Sequence, residues 1–215
     1  MLSVALTGGI GSGKTAVTDY FQKIAQESTV ADLVQIIDAD IIARNLLAGS
    51  LYASPSTALS AVNALFGSHL FDSTGQLDRP QLRSLIFSSD SKKQQLNHLL
   101  HPLIYQEIAK KIHIIQQQFE KSLVIVSIPL LFETQAEHKF DRILLIDCPI
   151  KLQIERSMQR DHCSAELIKK IIHSQSDRHT RLTHANDIID NSGILEELQK
   201  QVRLIFQYYC SLAQI

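Results

Sequence analysis

Apolar residues in this chain come in two rhythms. Short runs are apolar at nearly every position: Leu2-Ser3-Val4-Ala5-Leu6-Thr7, Leu123-Val124-Ile125-Val126-Ser127-Ile128 and Arg142-Ile143-Leu144-Leu145-Ile146-Asp147. Runs this short predict strands, and continuous rather than alternating apolarity predicts strands buried on both faces, as in a parallel sheet. Leu33-Val34-Gln35-Ile36-Ile37 and Asp187-Ile188-Ile189-Asp190 predict two more. Elsewhere the spacing changes to three and four. Val17, Tyr20, Phe21 and Ile24 share one helix face, and a helix is expected from Ile41 to Leu47. Pro55 can open a helix whose face holds Leu59, Val62, Leu65 and Phe66, and Asp78 can cap another with Pro80 near its start. Leu96, Leu99, Leu100, Leu103, Ile104, Ile108 and Ile112 form a long stripe, with Pro102 placed to kink or divide it. A last helix runs from Leu195 to about Leu212. The sum is an α/β fold: a five-stranded parallel sheet with right-handed crossovers, flanked by helices. Residues 54–113 predict no strand and are too long for a bare crossover, so a helical insertion with a binding role is expected there.

The turn after the first strand is Gly8-Gly9-Ile10-Gly11-Ser12-Gly13-Lys14-Thr15. It fits the phosphate-binding loop pattern of glycine, four residues, then Gly-Lys-Thr, and it has the required strand before and helix after. Each residue type answers to an anion. Glycines let the backbone approach a phosphate, and successive N–H groups of Gly9, Gly11, Ser12, Gly13, Lys14, Thr15 and Ala16 turn inward. Lys14 adds a charge that reaches β- and γ-phosphates, Thr15 offers a hydroxyl to Mg²⁺, and the following helix presents its positive end. Nucleoside triphosphate binding follows, and this fold class is that of the P-loop NTPases.

Composition removes some alternatives. A chain of 215 residues suits one α/β domain with insertions, and 45% hydrophobic residues can fill a sizeable core. A net charge of −1 gives no electrostatic case for nucleic acid or an anionic membrane as partner. Cys148, Cys163 and Cys210 lie far apart, which suits a reducing compartment better than a disulfide framework. The first apolar run is too short for a signal peptide and no run is long enough to span a membrane, so a soluble cytoplasmic protein is expected. His98 with His101, and His162 with Cys163, lack the four-ligand spacing of a zinc site.

Three further groups stand out. Asp38 and Asp40 fall at the carboxyl end of the second strand, the edge where open α/β sheets bind ligands. Gln153, Arg156 and Arg160 share one helix face, and Gln175, Arg178 and Arg181 again follow a spacing of three. Two basic faces joined by a turn, over residues 151–185, read either as a lid that closes over triphosphate or as two solvated helix faces; charge spacing alone does not separate these. No acidic residue ends the Leu123–Ile128 strand, so the usual second metal carboxylate is missing there and Asp38 or Asp40 would have to serve.

Taken in order, these stretches resemble one family, dephospho-coenzyme A kinase. Ala5 to Lys14 looks like its phosphate loop and Asp38-Ala39-Asp40-Ile41-Ile42-Ala43-Arg44 like its acidic motif. Leu99-Leu100-His101-Pro102 and Pro129-Leu130-Leu131-Phe132-Glu133 resemble two further signatures, Arg156, Arg160-Asp161 and Gln175 its lid, and Ile189-Asp190-Asn191-Ser192-Gly193 its late loop. The resemblance implies transfer of the γ-phosphoryl group of ATP, with Mg²⁺, to the ribose 3′-hydroxyl of dephospho-CoA, the last step of coenzyme A synthesis. It implies a nucleotide core (residues 1–50, 116–150 and 186–215), a helical CoA-binding insertion (51–115) and a helical lid (151–185). Asp40 aligns with the acid that positions the hydroxyl or takes its proton, with Asp38 as the alternative; capping and pairing with Arg44 is the structural reading of Asp40. Arg156 and Arg160 would meet the phosphates or adenine side, with Arg178 weaker, and Asn191 would approach adenine or merely form a turn. Arg44, Arg79, Arg83 and His101 fall on the acceptor side, where a diphosphate suits arginine forks; His101 is not read as catalytic. Oligomeric state is not derivable. Two positions depart from the family: residues 26–35 form a longer stretch, expected to be a surface insertion, and Asn186 stands where Asp is expected, with Asp187 beside it.

Three rivals share the loop. A kinase for another hydroxyl acceptor differs only in the insertion. A guanine-nucleotide switch would need a strand before Asp72-Ser73-Thr74-Gly75 and an Asn-Lys-x-Asp, and the sequence has neither. A non-catalytic nucleotide sensor would have no need of Lys14, Thr15 and Asp40 together.

Overall fold

The computed structural model describes residues 1–48 and 55–215. Five strands, β1 (Leu2–Thr7), β2 (Val34–Asp38), β3 (Leu123–Ser127), β4 (Arg142–Asp147) and β5 (Asp187–Asp190), form one sheet in the order β2-β3-β1-β4-β5. Every pairing is parallel. Helices among the described residues are α1 (Lys14–Gln26), α2 (Ala39–Leu46), α3 (Pro55–Phe66), α4 (Arg79–Phe87), α5 (Asp90–Gln118), α6 (Ile150–Asp161), α7 (Ala165–Ser174), α8 (Arg178–His184) and α9 (Leu195–Ala213). None is long and apolar enough to cross a membrane. They form two compact units, Met1–Asp38 with Ile114–Ile215, and Ala39–His113. The boundary expected between residues 50 and 51 lies outside the described residues.

The first unit holds the sheet. β1 is buried at all six positions, and β3 at all five, as their unbroken apolar runs require. The edge strands β2 and β5 are partly exposed, which matches their mixed sequences. Side chains alternate across a strand, so Leu2, Val4, Leu6, Leu123, Ile125, Leu144, Ile146 and Ile189 fall on one face. Against that face lie Val17, Phe21 and Ile24 of α1 and Leu198, Val202, Phe206 and Tyr209 of α9. Phe21 and Phe206 meet with ring centroids 6.2 Å apart. Tyr209, fully buried, donates its hydroxyl to Asp187 at 2.7 Å, and Arg142 forks onto the same carboxylate at 2.8 and 3.1 Å. Asn186 closes the neighbouring bond by accepting from the Ile143 amide at 2.7 Å. The acid expected at 186 is thus supplied one residue later, and an amide suits position 186 because it faces a backbone donor.

The second unit is helical, with a core of Val62, Leu70, Leu82, Leu96 and Leu100. Its one extended feature among the described residues is an isolated bridge between Phe71 and Leu77. Asp78 caps α4 through the Gln81 amide at 2.9 Å, with Pro80 in the first turn, as the sequence predicts. Of the two outcomes expected at Pro102, a kink or a division, division does not occur: Pro102 lies inside one continuous helix of 29 residues, α5. Pro102 is on the exposed side of the helix, while Leu96, Leu100 and Ile108 of the apolar stripe are buried. Leu65 is 40% exposed; Ala58 and Val62 fill the inward face of α3 instead.

Element ends also moved. Leu33 belongs to a short 3₁₀ turn, Ala31–Leu33, inside the stretch read as a surface insertion. α1 begins at Lys14 and α2 at Ala39, ahead of Val17 and Ile41 where the apolar periodicity starts, because the loop and strand that precede them hand over directly.

Candidate active site

The sheet order puts β1 at the centre, and the loop that follows it, Gly8 to Thr15, lies at the carboxyl edge. The same edge receives the ends of β2 at Asp38, β4 at Asp147 and β5 at Asp190. Open parallel sheets bind ligands at this edge.

The loop is built by two left-handed residues and by what packs under it. Gly11 has φ +67° and Gly13 has φ +96°, ψ +23°; the second is the N-cap of α1. An L residue there would be strained, and its Cβ would collide: with Ser157 Oγ at 2.5 Å beneath Gly11, and with Asn191 Nδ2 at 2.1 Å beside Gly13. Gln153 and Ser157, one turn apart on α6, are buried and form the floor under Gly9 and Gly11. Gln153 Nε2 donates to the Cys148 carbonyl at 2.6 Å, which locks that side chain in place. The Ser12 hydroxyl is fully buried and has no hydrogen-bond partner among the described residues. Lys14 folds back over the loop, its Nζ 2.8 Å from Gly8 O and 3.0 Å from Gly9 O. Thr15 and Ala16, in the first turn of α1, are exposed.

Asn191 is the clamp on the other side. Its amide side chain donates to Ser12 O at 2.7 Å, its backbone N–H donates to Asp147 O at 2.9 Å, and its carbonyl accepts from Arg156 at 2.9 Å. A turn-forming Asn was one reading; in the structure this residue ties the loop, β4 and α6 together. Arg156 also lies 3.5 Å from the Cys148 sulfur. Burial pushes the Cys148 thiol up, against the pull of the Arg156 charge.

The arginines of α6 to α8 are engaged with protein acceptors. Arg160 forks onto Asp161 at 2.8 and 2.7 Å, on the surface. Arg178 forks onto Asp147 at 2.9 and 2.6 Å, which raises its guanidinium pKa. Arg181 is buried and donates to the Ser176 carbonyl; removal from water lowers its pKa. Gln175 accepts from the Ile10 amide at 3.0 Å, and the Ser176 amide donates to Glu133 at 2.7 Å.

In the second unit, Asp40 is exposed in the first turn of α2 and Arg44 lies in its last turn. Arg79, at the start of α4, donates to the Arg44 carbonyl at 2.8 Å. Arg79, Pro80, Arg83 and Ser84 line an open groove of about 480 Å³. His101 is half-buried on α5; desolvation first, and then the charge of His98, lower its pKa.

The structure therefore brings Gly9, Gly11, Ser12, Gly13, Lys14, Arg156 and Asn191 into one cluster, and it brings Arg44, Arg79 and Arg83 together in another. Arg160 pairs instead with Asp161 at the surface. Sequence reasoning missed the floor formed by Ser157, the acceptor Asp147 and the contact of Gln175. Asp147 carried a signal, an acid ending an apolar strand, and Gln175 was marked by its spacing and by resemblance to the lid, though not for this contact; Ser157 carried none.

The profile of the dephospho-CoA kinase family matches residues 2–197. The chain belongs to that family. A dephospho-CoA kinase of Shewanella oneidensis is 37% identical over 210 residues, covering 98% of this chain and 94% of that protein. One from Salmonella typhimurium is 40% identical over 212 residues, covering 98% and 94%. The solved dephospho-CoA kinase of Campylobacter jejuni superposes with a TM-score of 0.67 at 26% identity, covering 95% of each chain. Membership in the dephospho-CoA kinase family makes the chain a kinase, and its parallel sheet with the loop on the central strand is the P-loop kinase fold.

Proposed function

We propose that the protein transfers the γ-phosphoryl group of ATP to the ribose 3′-hydroxyl of dephospho-CoA, giving coenzyme A and ADP. The observation that carries this reading is the completed phosphate loop, with Lys14 over it, in a chain that matches the family from residue 2 to 197. The loop amides hold the β- and γ-phosphates, and Lys14 exchanges the Gly8 and Gly9 carbonyls for phosphate oxygens. Phosphoryl transfer is largely positioning and charge stabilisation, so pre-set donors lower the barrier without reorganising. Arg156, held on Asn191 beside the loop, supplies further positive charge to the nucleotide.

Asp40 takes or positions the acceptor proton, with Asp38 at the sheet edge as its alternative. The groove lined by Arg79 and Arg83 has the charge for the diphosphate of the acceptor, and Arg44 and His101 belong to the same helical unit. The Thr15 hydroxyl is a hard oxygen donor, exposed next to the loop, which fits Mg²⁺. When bound with ATP, that ion neutralises charge on the phosphates. The segment from α6 to α8 serves as the lid. Three free thiols, Cys148, Cys163 and Cys210, fit a cytoplasmic location.

The test follows ADP release with dephospho-CoA, coenzyme A or shikimate as acceptor. Release with dephospho-CoA alone is expected, because coenzyme A already carries the 3′-phosphate. Equal release with all three, or with none, would overturn the assignment of acceptor.

A further inference from the structure

The segment between α7 and α8 reaches three separate parts of the sheet edge within a few residues. Gln175 Oε1 accepts the Ile10 N–H at 3.0 Å, the Ser176 N–H donates to Glu133 Oε1 at 2.7 Å, and Arg178 forks onto Asp147. The buried Arg181 guanidinium donates back to the Ser176 carbonyl, and Gln175 is extended at φ −89°, ψ 160°. The segment is thus fixed before Gln175 reaches out from it.

What Gln175 touches is the peptide between Gly9 and Ile10. The carbonyl of that peptide accepts from Lys14 Nζ at 3.0 Å and from the Ser12 N–H at 3.2 Å. Its N–H is the one held by Gln175. Below it, Gln153 lies so close that a Cβ on Gly9 would be 2.7 Å from its side-chain oxygen. The peptide is therefore bonded at both ends and supported from underneath. It is also one of the two resting places of the lysine on which nucleotide binding depends.

We infer that Gln175 is a positioning residue for the nucleotide. Through the Ile10 amide it fixes the Gly9–Ile10 peptide, and with it the Gly9 carbonyl, one of the two that hold Lys14, so that the loop meets triphosphate already shaped. Donors set in advance lose less on binding than donors that must be ordered. The residue type suits the task. An amide oxygen accepts the N–H without carrying negative charge to a site that receives an anion, whereas a carboxylate there would repel the phosphates. The inference rests on the reading of this loop as an ATP site.

The experiment uses the full chain, with Gln175→Leu, which has similar size and no acceptor, and Gln175→Glu, which keeps an oxygen. Mg²⁺-ADP and Mg²⁺-ATP affinities are measured by calorimetry, the Ile10 amide by ¹⁵N-resolved NMR, and stability by thermal unfolding. Gln175→Leu is expected to weaken both nucleotides about fivefold, the order of one neutral hydrogen bond. It should also move the Ile10 amide proton upfield, raise KM for ATP by the same factor and leave kcat within about twofold. Gln175→Glu is expected to keep the downfield Ile10 proton. Nucleotide affinity unchanged in Gln175→Leu would overturn the proposal, whether or not the amide moves. So would an equal fall in kcat without a change in KM, or an Ile10 proton that ignores both substitutions. If the parent itself binds neither nucleotide, the kinase reading falls first, and that result does not depend on Gln175.

Discussion

Gly13→Ala probes the loop and its clamp together. Two costs arise. Residue 13 sits at φ +96°, ψ +23°, where an L residue loses about 1–2 kcal/mol. The new Cβ would lie 2.1 Å from Asn191 Nδ2, an atom that donates to Ser12 O at 2.7 Å from a buried side chain. Asn191 must move, and leaving that donor and acceptor unpaired costs about 1–3 kcal/mol more. Gly13→Ala alone should therefore destabilise by about 2–5 kcal/mol, and each of these lowers Tm by about 2–4 °C in a chain of this size. Asn191→Ala alone loses the same buried bond, about 1–3 kcal/mol. In the double variant the clash has nothing to strike. The two changes should then cost less together than the sum of the singles, by about 1–3 kcal/mol. Urea unfolding of the parent, both singles and the double measures this coupling. Additivity within about 0.5 kcal/mol would refute the claim that Asn191 is packed against the loop at Gly13.

Tyr209→Phe removes a hydroxyl that donates to the carboxylate also gripped by Arg142, and should destabilise by about 1.5–3 kcal/mol in equilibrium unfolding. Burial and the Asp187 carboxylate push the Tyr209 hydroxyl far above its usual range, so its phenol should ionise only with unfolding, as read by alkaline UV absorbance alongside circular dichroism. His101 carries a folded-state pKa below 6.5, lowered by burial. Its contribution to stability is full above pH 6.5, because both states are then neutral, and is lost as pH falls through the folded pKa, because the unfolded chain takes the proton first. His101→Gln should flatten the pH dependence of unfolding below 6.5, as read from denaturation midpoints at pH 5 to 8. Arg156→Ala should lower kcat/KM about 10²–10³-fold, as expected for a donor to developing charge, while Arg160→Ala, whose guanidinium is spent on Asp161 at the surface, should change stability by under about 0.5 kcal/mol.

How much of this was legible depended on whether the signal was local. β1, β4 and β5 fell where their apolar runs predict, residue for residue, because a strand buried on both faces writes its whole length in the sequence. Asp78 and its helix were read from capping chemistry alone, which is also local. Pro102 did not divide α5, because a proline on the exposed side of a helix costs less than one on the buried side, and which side it takes is set by tertiary packing. Leu65 misled because a helix face was drawn from apolar residues alone, and Ala58, small and easily overlooked, took the inward place. The phosphate loop was legible through residues that must sit together in sequence. Of its supports, Gln153, Gln175 and Asn191 were marked by spacing or by resemblance and Ser157 was not, but what each touches was not legible, because all four approach the loop from more than 140 residues away. The arginines of α6 to α8 carried a spacing signal, yet spacing could not tell that Arg178 would settle on Asp147 and Arg160 on its own neighbour.

The most direct test of the account identifies the product. The purified protein is mixed with Mg²⁺-ATP and dephospho-CoA, the product mass is measured, and ³¹P NMR locates the new phosphate, with Lys14→Ala and Asp40→Asn in parallel. The expected result is coenzyme A carrying the phosphate at the ribose 3′ position, with formation largely lost in both variants. Full activity in Asp40→Asn would move the acceptor role to Asp38 or to positioning alone. No coenzyme A from a parent that still binds ATP would contradict the central claim.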